Sequence, residues 1–583
     1  MPGVVSRRLL LGGWILAACA APPPHPVVPV ATPERADAGA AEPPRDASVE
    51  VEGADAGVAR SLEAPAGPWK RVDVRAGEPT VPVRLMEGRR EVTAVPRGRV
   101  RLVLPGPVEV VAEAPAGEAL SVRAVGGTPA TRLFRLQVAE LSFADKAGLQ
   151  SELDAWGARS LAVRVQTLGQ VYGIAGKVID NRRYAVLLDE ALTEPEARAR
   201  VGEVLRRWGV RATLVEEVQA PARATLEVRA AGGQLLGRAV DRVRAETLDG
   251  SGFDVRQVEH DVGYRAHGFE DRSYRGVLVF TVDARGTLAV VNEVALEDLL
   301  RGLVPAEIFA AAPMEALKAQ AVTARGEVLA KVGTRHLSDP YLLCSEQHCA
   351  VYRGRSGEAP STNAAVEATR GEALFSAEGG RLVDSVYSAV CGGHTEDNEA
   401  VWGGVPDPSL RGRPDLLERV PSLPSPRTET AAFLRADLPA ACKRNRFSQA
   451  PRYRWERRFT AAELDALLAP LGVGSVRALR VVERGVSGRA ILLAVSGDTG
   501  ATEVRGELAI RRMLGMLNSS LFVLSAERDA QGVPVAWTFR GGGWGHGVGL
   551  CQTGAIGRAD AGEDYRAILR HYFNGAQVAR IYE

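Results

Sequence analysis

The sequence predicts a multidomain α+β protein: a small β-rich module, a ferredoxin-like βαββαβ module and a larger mixed α+β domain. Three observations lead to this fold class. The chain has 583 residues, so several domain-sized units are expected, and 46% apolar against 25% charged residues lets most of them bury a core. Short runs of alternating polar and apolar residues come first. Segments in which strand and helix patterns alternate follow them.

Residues 1–19 have the pattern of a secretory signal. Two arginines precede an apolar run that is too short to span a bilayer, and Leu16-Ala17-Ala18-Cys19 resembles a bacterial lipobox. We therefore expect a lipoprotein signal peptide, with Cys19 lipidated and anchored in a membrane. An ordinary signal peptide with an incidental cysteine is the alternative. Because Ala20 rather than aspartate follows the cysteine, we expect a cell-envelope protein, on the outer membrane and facing the periplasm of a Gram-negative bacterium.

Residues 20–68 are dominated by Ala, Pro, Asp and Glu and lack a periodic apolar pattern. Such a segment cannot bury enough apolar surface to fold, so we expect a disordered linker that lets the folded part reach away from the membrane. The formal net charge of the chain is only +1 and no basic run occurs, so we expect no nucleic-acid partner.

Residues 69–128 alternate polar and apolar side chains in short runs such as "RVRLVLPG" and "VEVVAEAPAG". This pattern predicts a small β-rich module or a pair of hairpins. Nothing in the segment suggests chemistry.

Residues 130–220 have a clearer order of elements. A strand pattern, "LFRLQVAEL", is followed by the helix pattern "DKAGLQSELDAWG", then by strands, the helix pattern "TEPEARARVGEVLRRWG" and a last strand, "RATLVEE". This order is the βαββαβ plan of ferredoxin-like modules. In a cell-envelope protein the plan resembles a SPOR domain, which binds peptidoglycan glycan stripped of its stem peptides. A generic ferredoxin-like spacer is the alternative.

The segment "TLAVVNEVALEDLLRGLVPAEIF" is the first that suggests chemistry. We expect a strand ending at Asn292, a short helix around residues 296–303, and a loop over 304–307 that carries Glu307 into the next helix. That next helix has one apolar face, with Pro313 suiting its first turn. On these residues alone, Glu307 is a helix-end carboxylate that responds to the helix dipole.

The segment "FRGGGWGHGVGLCQTGA", residues 539–555, concentrates glycine around Trp544 and His546. It is not a nucleotide-binding loop, because no G-x-G-x-x-G is in register and no Gly-Lys-Ser/Thr follows. Glycine visits both halves of φ space at little cost, so this stretch can turn tightly beside a ligand. A core β-turn around a buried histidine is the alternative.

Together, four blocks in order resemble the SpoIID/LytB family of peptidoglycan proteins. They are "VNEVALEDLLRGLVPAEIF…PMEALKAQAVTAR", "AAVEATRGEAL", "VYSAVCGGHTEDNEAVWGG" and "GGGWGHGVGLCQTGAIGRADAGEDYRAILRHYFNGAQVARIY", and they extend over residues 222–583. The family includes sporulation lytic transglycosylases and proteins first described as amidase enhancers. Residues about 412–535 fit none of these blocks, so we expect an insertion that widens or covers the groove.

The resemblance implies roles for particular residues. Glu307 occupies the "P-x-E" position of the family's single catalytic acid/base. His546 and Gln552 match positions thought to line the groove. The other expected substrate contacts lie in the same blocks and are Lys318, Gln320, Arg325, Tyr387, His394 and Trp544. Cys391 beside His394 could suggest a cysteine nucleophile, but glycan chemistry has no use for a thiolate.

A single glutamate is enough for the chemistry that the resemblance implies. As an acid it protonates the glycosidic oxygen, and as a carboxylate it then accepts the proton of the sugar's own 6-hydroxyl, which attacks the anomeric carbon to give a 1,6-anhydro end. A hydrolytic glycosidase usually needs a second carboxylate, whereas an internal nucleophile does not. The acid must start protonated, so we expect burial to raise its pKa. Glu297 and Asp298 are the nearby candidates for a second carboxylate, and the helix pattern makes them capping or surface residues.

The segment "HLSDPYLLCSEQHCAVYRG" contains His336, Cys344, His348 and Cys349. Two imidazoles and two thiolates form a good tetrahedral zinc set, and some members of the family carry a structural zinc in such a run. All four positions would be filled by protein, so the zinc would be structural and catalysis would need no cofactor. A Cys344–Cys349 disulfide, which an oxidising periplasm favours, is the alternative.

The predicted function is that of a peptidoglycan lytic transglycosylase that cuts the MurNAc–GlcNAc β-1,4 bond of glycan strands, with denuded glycan as the expected substrate. The alternative is a non-catalytic peptidoglycan-binding protein that activates a cell-wall amidase, an N-acetylmuramoyl-L-alanine amidase. The glutamate in "VPAEIF" favours the enzyme.

Overall fold

The computed structural model describes residues 73–583, apart from 76, 106–109, 175–176, 209, 211, 263–265 and 378–379. The expected signal peptide over 1–19, its Cys19 and the linker over 20–68 lie outside these residues. Within them, no helix combines the length and the apolar character needed to cross a membrane. The mixture of helices and sheets confirms the α+β class.

Six strands form the first part of the described chain. They are β1 (Asp73–Arg75), β2 (Glu78–Arg89), β3 (Glu91–Pro96), β4 (Val100–Leu104), β5 (Val110–Ala114) and β6 (Leu120–Thr128). Their alternating burial, as in β3 and β4, reflects the alternating sequence pattern.

The next elements form the ferredoxin-like module. They are β7 (Thr131–Ser142), α1 (Lys146–Ala158), β8 (Val163–Leu168), β9 (Val171–Ile174), β10 (Lys177–Asp180), β11 (Arg183–Leu188), α2 (Glu194–Trp208) and β12 (Thr213–Ala220). The sheet order is β12-β7-β11-β8, and Trp156 and Val204 of the two helices pack with the sheet in a core of their own. The βαββαβ order is confirmed. The hairpin β9–β10 between β8 and β11 is an addition to it.

Seven more strands follow. They are β13 (Arg223–Arg229), β14 (Leu235–Val240), β15 (Arg242–Thr247), β16 (Phe253–His260), β17 (Gly268–Tyr274), β18 (Val277–Val282) and β19 (Leu288–Ala295). They form two sheets with the first six strands, in the orders β1-β2-β19-β18-β15-β4-β5 and β14-β13-β6-β3-β16-β17.

This pairing corrects the expected boundary of the 69–128 module. Val83 of β2 lies opposite Asn292 of β19, and Thr128 of β6 lies opposite Arg223 of β13. Residues 69–128 are therefore not a module of their own, because their strands hydrogen-bond to strands that follow residue 222. The ferredoxin-like module is inserted between β6 and β13, which are neighbours in one sheet.

Two helices follow β19 and carry the expected catalytic segment. They are α3 (Leu296–Glu307) and α4 (Met314–Lys331). The expected loop over 304–307 is wrong, because α3 continues past Pro305 and Glu307 is its last residue. The single apolar face expected for α4 is also wrong. Its side chains are buried on all sides, and Met314 at its start is exposed.

The ferredoxin-like module is fixed to the end of α4. The side-chain amide of Asn181 donates to the carbonyl oxygens of Leu329, Ala330 and Val332 at 2.8–3.2 Å. The hydroxyl of Tyr172 donates to the carbonyl of Leu329 at 2.9 Å. The last carbonyls of a helix have no partner within it, so these bonds cap α4 from another module.

Short elements lead from α4 to the insertion. They are β20 (Leu343–Cys344), α5 (Pro360–Ala368), β21 (Glu372–Phe375), β22 (Tyr387–Ser388) and α6 (Asn398–Trp402). Strand β20 pairs with β2, so the cysteine-containing segment joins the edge of the large sheet.

The insertion has its own architecture. Its elements are α7 (Thr430–Arg435), α8 (Ala450–Tyr453), β23 (Arg454–Thr460), α9 (Ala461–Leu468), β24 (Val476–Arg484), β25 (Ala490–Gly497), β26 (Ala501–Arg505), α10 (Glu507–Met513), β27 (Phe522–Arg528) and β28 (Pro534–Gly542). Two three-stranded sheets, β23-β28-β27 and β24-β25-β26, enclose a separate core that includes Phe522, Trp537 and Phe539.

The chain ends with β29 (Leu550–Cys551), α11 (Gln552–Asp560), α12 (Tyr565–Tyr572) and β30 (Gln577–Arg580). Strand β29 runs parallel to β22, and β30 pairs with β21. Helices α11 and α12 pack against α4. The glycine-rich segment, β22 and the two helices α3 and α4 are thereby brought to one place.

Candidate functional site

Glu307 lies at the C-terminus of α3 with only 4% of its surface exposed. Its carboxyl accepts a hydrogen bond from the backbone N–H of Val351 at 3.2 Å and another from Tyr387. Burial, and after it the negative charge of Glu327, raise its pKa to about 8, while the two hydrogen bonds and the positive charge of Lys331 oppose the rise. At neutral pH the group is an acid that can donate a proton.

Glu327 is the second carboxylate of the site, and the sequence analysis did not identify it. It lies on α4 with 2% exposure and forms an ion pair with Lys331 at 2.5 Å. The ammonium of Lys331 also donates to the carbonyl of Cys349 at 2.7 Å. The signal was present in the sequence as an i,i+4 pair on the helix that follows Glu307.

The two acids considered as second carboxylates are engaged elsewhere. Glu297 forms a two-point ion pair with Arg325 at 2.7 and 2.9 Å, with both side chains buried. It is therefore neither a cap nor a surface residue. Asp298 pairs with Arg301 at 2.7 Å at the partly exposed side of α3.

Gln552 and Gln320 hold the backbone beneath the acid. The side-chain amide of Gln552 donates to the carbonyl of Glu307 at 2.8 Å and to Oε1 of Gln320 at 3.3 Å. That carbonyl is one of the acceptors that a helix end leaves unpaired. Both glutamines are buried, so the structure gives them a positioning role rather than the expected contact with substrate.

His546 positions Tyr387. Its Nδ1 accepts the N–H of Val548 at 3.1 Å, so Nε2 carries the proton and donates to the carbonyl of Tyr387 at 2.9 Å. Burial and the nearby charge of Arg489 lower the pKa of His546 to about 3. The ring is neutral at physiological pH and holds the strand whose tyrosine reaches Glu307.

The glycine-rich segment rests on a side chain from the insertion. Gly547 has φ +82°, and a Cβ there would lie 2.4 Å from the guanidinium carbon of Arg489. The guanidinium donates to the carbonyls of Cys391 and Gly545 and to Ser487, whose hydroxyl in turn donates to buried Glu396 at 2.6 Å. Glycine at 547 is required both by its backbone conformation and by this close approach.

Aromatic side chains lie around this core of the site. Trp544 is half-buried, and the guanidinium of Arg452 lies over its ring at 4.9 Å. Trp402 is 51% exposed, and its ring centroid is 4.9 Å from that of His546. Phe309 stacks on Phe447 of the insertion at 5.0 Å. Trp402 was not among the predicted site residues, although it lies in the block "VYSAVCGGHTEDNEAVWGG".

Three expected substrate contacts have other partners. Arg325 is completely buried in its pair with Glu297 and also donates to the carbonyl of Glu372 at 2.8 Å, so it is not offered to a ligand. Lys318 pairs with Glu315 one turn earlier on α4. His394 is buried, its Nδ1 donates to the carbonyl of Thr395 at 2.7 Å, and burial lowers its pKa to about 4.

The four predicted zinc ligands converge. The ligand atoms of His336, Cys344, His348 and Cys349 all lie within 4.8 Å of one another. Nε2 of His336 is 3.3 Å from Sγ of Cys349, and Nδ1 of His348 is 3.6 Å from that sulfur and 3.7 Å from Sγ of Cys344. A tetrahedral zinc with ordinary Zn–S and Zn–N bonds has N···S edges of about 3.6 Å.

The donor set therefore fits zinc, and both cysteines are free thiols. Asp339 adds a feature that the sequence analysis missed: its carboxylate bonds Nδ1 of His336 at 2.8 Å, which leaves Nε2 for a metal. The ligand segment lies next to the acid, because Val351 donates to Glu307 and the carbonyl of Cys349 binds Lys331. A zinc ion here would order the loop that holds the acid.

Comparisons with known proteins find similarity over two parts of the chain. Residues 284–375 match the family described as Stage II sporulation protein, and residues 396–549 match a domain of unknown function. An uncharacterized protein of Brachyspira hyodysenteriae is 29% identical over 54% of this chain and 74% of its own length. The Stage II sporulation protein D of Bacillus subtilis is 26% identical over 50% of this chain and 76% of its own.

The Amidase enhancer of Bacillus subtilis is 27% identical over 48% of this chain, and the match spans 40% of its own length. The matched family segment contains Glu307 and the four zinc-ligand candidates. The match to the domain of unknown function, residues 396–549, includes the whole insertion. It also extends into the residues before the insertion and into the glycine-rich segment after it.

Proposed function

Because the C-terminal region of this chain belongs to the SpoIID/LytB family, with a role connected to the cell wall, we propose that the protein is a peptidoglycan lytic transglycosylase. It cleaves the β-1,4 bond between N-acetylmuramic acid and N-acetylglucosamine and leaves a 1,6-anhydro end. The observation that carries the proposal is the raised pKa, about 8, of the buried acid Glu307 at the family's catalytic position.

Glu307 performs both proton transfers. Its protonated carboxyl donates to the leaving glycosidic oxygen, and the resulting carboxylate accepts the proton of the 6-hydroxyl as that oxygen bonds to the anomeric carbon. The proton balance closes within one turnover, with no water consumed. Tyr387 and the N–H of Val351 stabilise the carboxylate between the two transfers.

The surroundings of the acid favour this internal attack over hydrolysis. Glu307 is 4% exposed, so bulk water has little access to its carboxyl once a sugar covers the exposed edge. Glu327 is equally buried and ion-paired with Lys331, so it acts through its charge and not as a nucleophile. An inverting hydrolase needs a second carboxylate placed to activate water across the sugar ring.

The remaining parts of the protein support substrate recruitment. The ferredoxin-like module binds denuded glycan in the manner of a SPOR domain, and one structural zinc at His336, Cys344, His348 and Cys349 orders the loop beside Glu307. A lipid on Cys19 anchors the protein in the outer membrane, where the linker lets it reach the cell wall. Each of these three points is part of the proposal.

The second candidate function is activation of a cell-wall amidase without catalysis. It is favoured by the similarity to a protein named Amidase enhancer. In that case Glu307 would be a structural acid, and its replacement would leave the stimulation of the amidase unchanged.

The deciding experiment is mass spectrometry of peptidoglycan, denuded and peptide-bearing, after incubation with the full chain. We expect products that end in 1,6-anhydro-N-acetylmuramic acid, and none with Glu307→Gln. Glu315→Gln, a partly exposed glutamate on α4, is the matched control and should retain activity. Reducing-end sugars would show a hydrolase, and no cleavage of either substrate together with stimulation of an added amidase would establish the second function.

A further inference from the structure

A second cluster of metal-binding side chains lies away from the expected zinc site. Sγ of Cys391, Cys442 and Cys551 and a carboxylate oxygen of Asp415 all lie within 4.8 Å of one another, and all four residues are completely buried. Cys391 follows β22, Asp415 and Cys442 belong to the inserted region, and Cys551 ends β29. No short sequence motif joins them, because the fold alone brings them together.

The spacing of the cluster fits one tetrahedral ion. Sγ of Cys391 is 3.2 Å from Oδ2 of Asp415 and 3.7 Å from Sγ of Cys442. A zinc ion with ordinary bond lengths has S···O and S···S edges of about 3.6 and 3.8 Å. The Cys391–Cys442 separation matches the edge of a zinc tetrahedron. The Cys391–Asp415 separation is that of an S–H···O hydrogen bond, and it would lengthen by about 0.4 Å when a metal replaces the proton.

Two of the three sulfur atoms accept hydrogen bonds from backbone N–H groups. Sγ of Cys551 accepts the N–H of Cys391 at 3.1 Å and the N–H of Gly554, in the first turn of α11, at 3.3 Å. Sγ of Cys391 accepts the N–H of Gly393 at 3.4 Å. These backbone hydrogen bonds fix the positions of two of the three sulfur atoms.

The carboxylate is oriented by a layer of partners behind it. Oδ1 of Asp415 accepts from Nε of Arg558 at 3.1 Å and from the hydroxyl of Tyr572 at 2.9 Å. Oδ2 is thereby turned toward the sulfurs. Such outer partners are typical of metal ligands, and Arg558 offsets part of the negative charge that three thiolates and a carboxylate would bring together.

We propose that Cys391, Cys442, Cys551 and Asp415 bind a second zinc ion, in a closed site with three sulfur ligands and one oxygen ligand. The ion displaces the thiol protons to solvent and leaves no position for water, so its role is structural. It joins the inserted region to the residues beneath the candidate active site, since Cys551 precedes Gln552 and the carbonyl of Cys391 binds Arg489. The proposal does not depend on the reaction assigned to Glu307.

The first test is the metal content of the full chain, purified under reducing conditions, loaded with Zn²⁺ and dialysed. We expect two zinc ions per chain in the wild type and one in Cys442→Ser, with one also in Cys344→Ser/Cys349→Ser. Asp415→Asn, which keeps the side-chain volume, should bind the second ion more weakly. Thr553→Ser is the control and should keep both ions, because the hydroxyl of Thr553 donates to the carbonyl of Ala389 and serine retains that hydroxyl.

Cobalt substitution tests the ligands directly. Cys344→Ser/Cys349→Ser keeps the cluster with three cysteines, and Cys442→Ser keeps the site with two. The sulfur-to-cobalt absorption of the former should therefore exceed that of the latter in a ratio of about three to two. For the wild type, stepwise modification of the thiols should release both zinc ions.

A wild type that holds one zinc, lost in Cys344→Ser/Cys349→Ser and kept in Cys442→Ser, would overturn the proposal. So would a disulfide between any two of the three cysteines in the protein isolated without reductant.

Discussion

The charge of Glu327 lies close enough to Glu307 to raise the pKa of that acid, and the ion pair with Lys331 holds Glu327 in place. Consecutive helices thus supply a buried acid and a carboxylate that adds to the rise of its pKa. The arrangement separates the proton donor from the group that tunes it, and each can be changed by itself.

This relationship predicts the pH dependence of activity. In the proposed reaction catalysis begins with protonated Glu307, so activity should be level at neutral pH and should fall as the pH rises through about 8. Glu327→Gln removes the neighbouring negative charge, lowers the pKa of Glu307 and moves the falling limb to lower pH, with roughly a threefold loss or more at pH 8. The pH profile of kcat/KM measures this. Glu315→Gln, the control on the same helix, should leave the limb where it is, and an unmoved limb in Glu327→Gln would exclude the coupling.

The same acid should reduce the stability of the fold at neutral pH. Its pKa is raised from 4.5 to about 8 on folding. The fold therefore pays no cost for this group below pH 4.5, where it is protonated in both states, and loses stability as the pH rises toward 8. Glu307→Gln does not titrate, so we expect its free energy of unfolding to exceed the wild-type value by about 1–3 kcal/mol at pH 7 and to match it near pH 4. Urea denaturation at the two pH values provides the measurement. A difference that is the same at both would contradict the assignment.

The buried pair of Arg325 and Glu297 should support the fold and not the substrate. Arg325→Met leaves a buried carboxylate without its partner, so we expect a loss of about 3–5 kcal/mol in the free energy of unfolding. The double variant Glu297→Met/Arg325→Met should recover most of that loss. A raised KM in the double variant, with stability restored, would return Arg325 to the substrate contacts.

The predicted zinc site can be tested through its outer partner. Asp339 orients His336 without binding the metal, so Asp339→Asn should weaken zinc affinity about 10–100-fold while the four ligands remain. Competition with a chromophoric chelator gives the affinity. Asp298→Asn, whose partner is Arg301, is the control. Equal affinity in both variants would mean that zinc does not use Nε2 of His336.

Trp402 should form part of the glycan-binding surface. An exposed indole beside His546 offers a flat face to a pyranose ring, so Trp402→Ala in the Glu307→Gln background should weaken glycan binding roughly 5–30-fold. Isothermal titration with denuded glycan fragments measures the loss. Val405→Ala, a nearby exposed apolar residue, should bind as the parent does, and equal binding by Trp402→Ala would remove Trp402 from the surface.

The sequence predicted best those features that local patterns encode. The βαββαβ order is confirmed, because each of its elements has its own periodicity and its own turn signals. The four zinc-ligand candidates were found because they lie within one short segment. Glu307, Tyr387 and Gln552 were selected from motif blocks, and the structure brings these three together.

Features that depend on distant pairing were missed. Nothing local indicates that Val83 lies opposite Asn292, so the first strands were read as a separate module. The cluster around Cys391 is invisible for the same reason, since its members come from separate parts of the sequence. For Arg325 the sequence indicated a substrate contact, whereas the structure gives it Glu297 as a buried partner, which no local pattern reveals.

Asn181 holds the ferredoxin-like module in a fixed position on the domain that carries Glu307, which a flexibly tethered module would not have. The two N–H groups of the Asn181 amide are shared among three carbonyl oxygens at the end of α4, the helix that carries Glu327, and the hydroxyl of Tyr172 adds a further hydrogen bond. These bonds therefore set the distance between the surface of the module and Glu307. A glycan strand gripped by the module would meet Glu307 at a set number of sugars from the grip, and fragment lengths would cluster around one value. Exchanging the module for another of the same plan would lose that spacing and would uncap α4 as well.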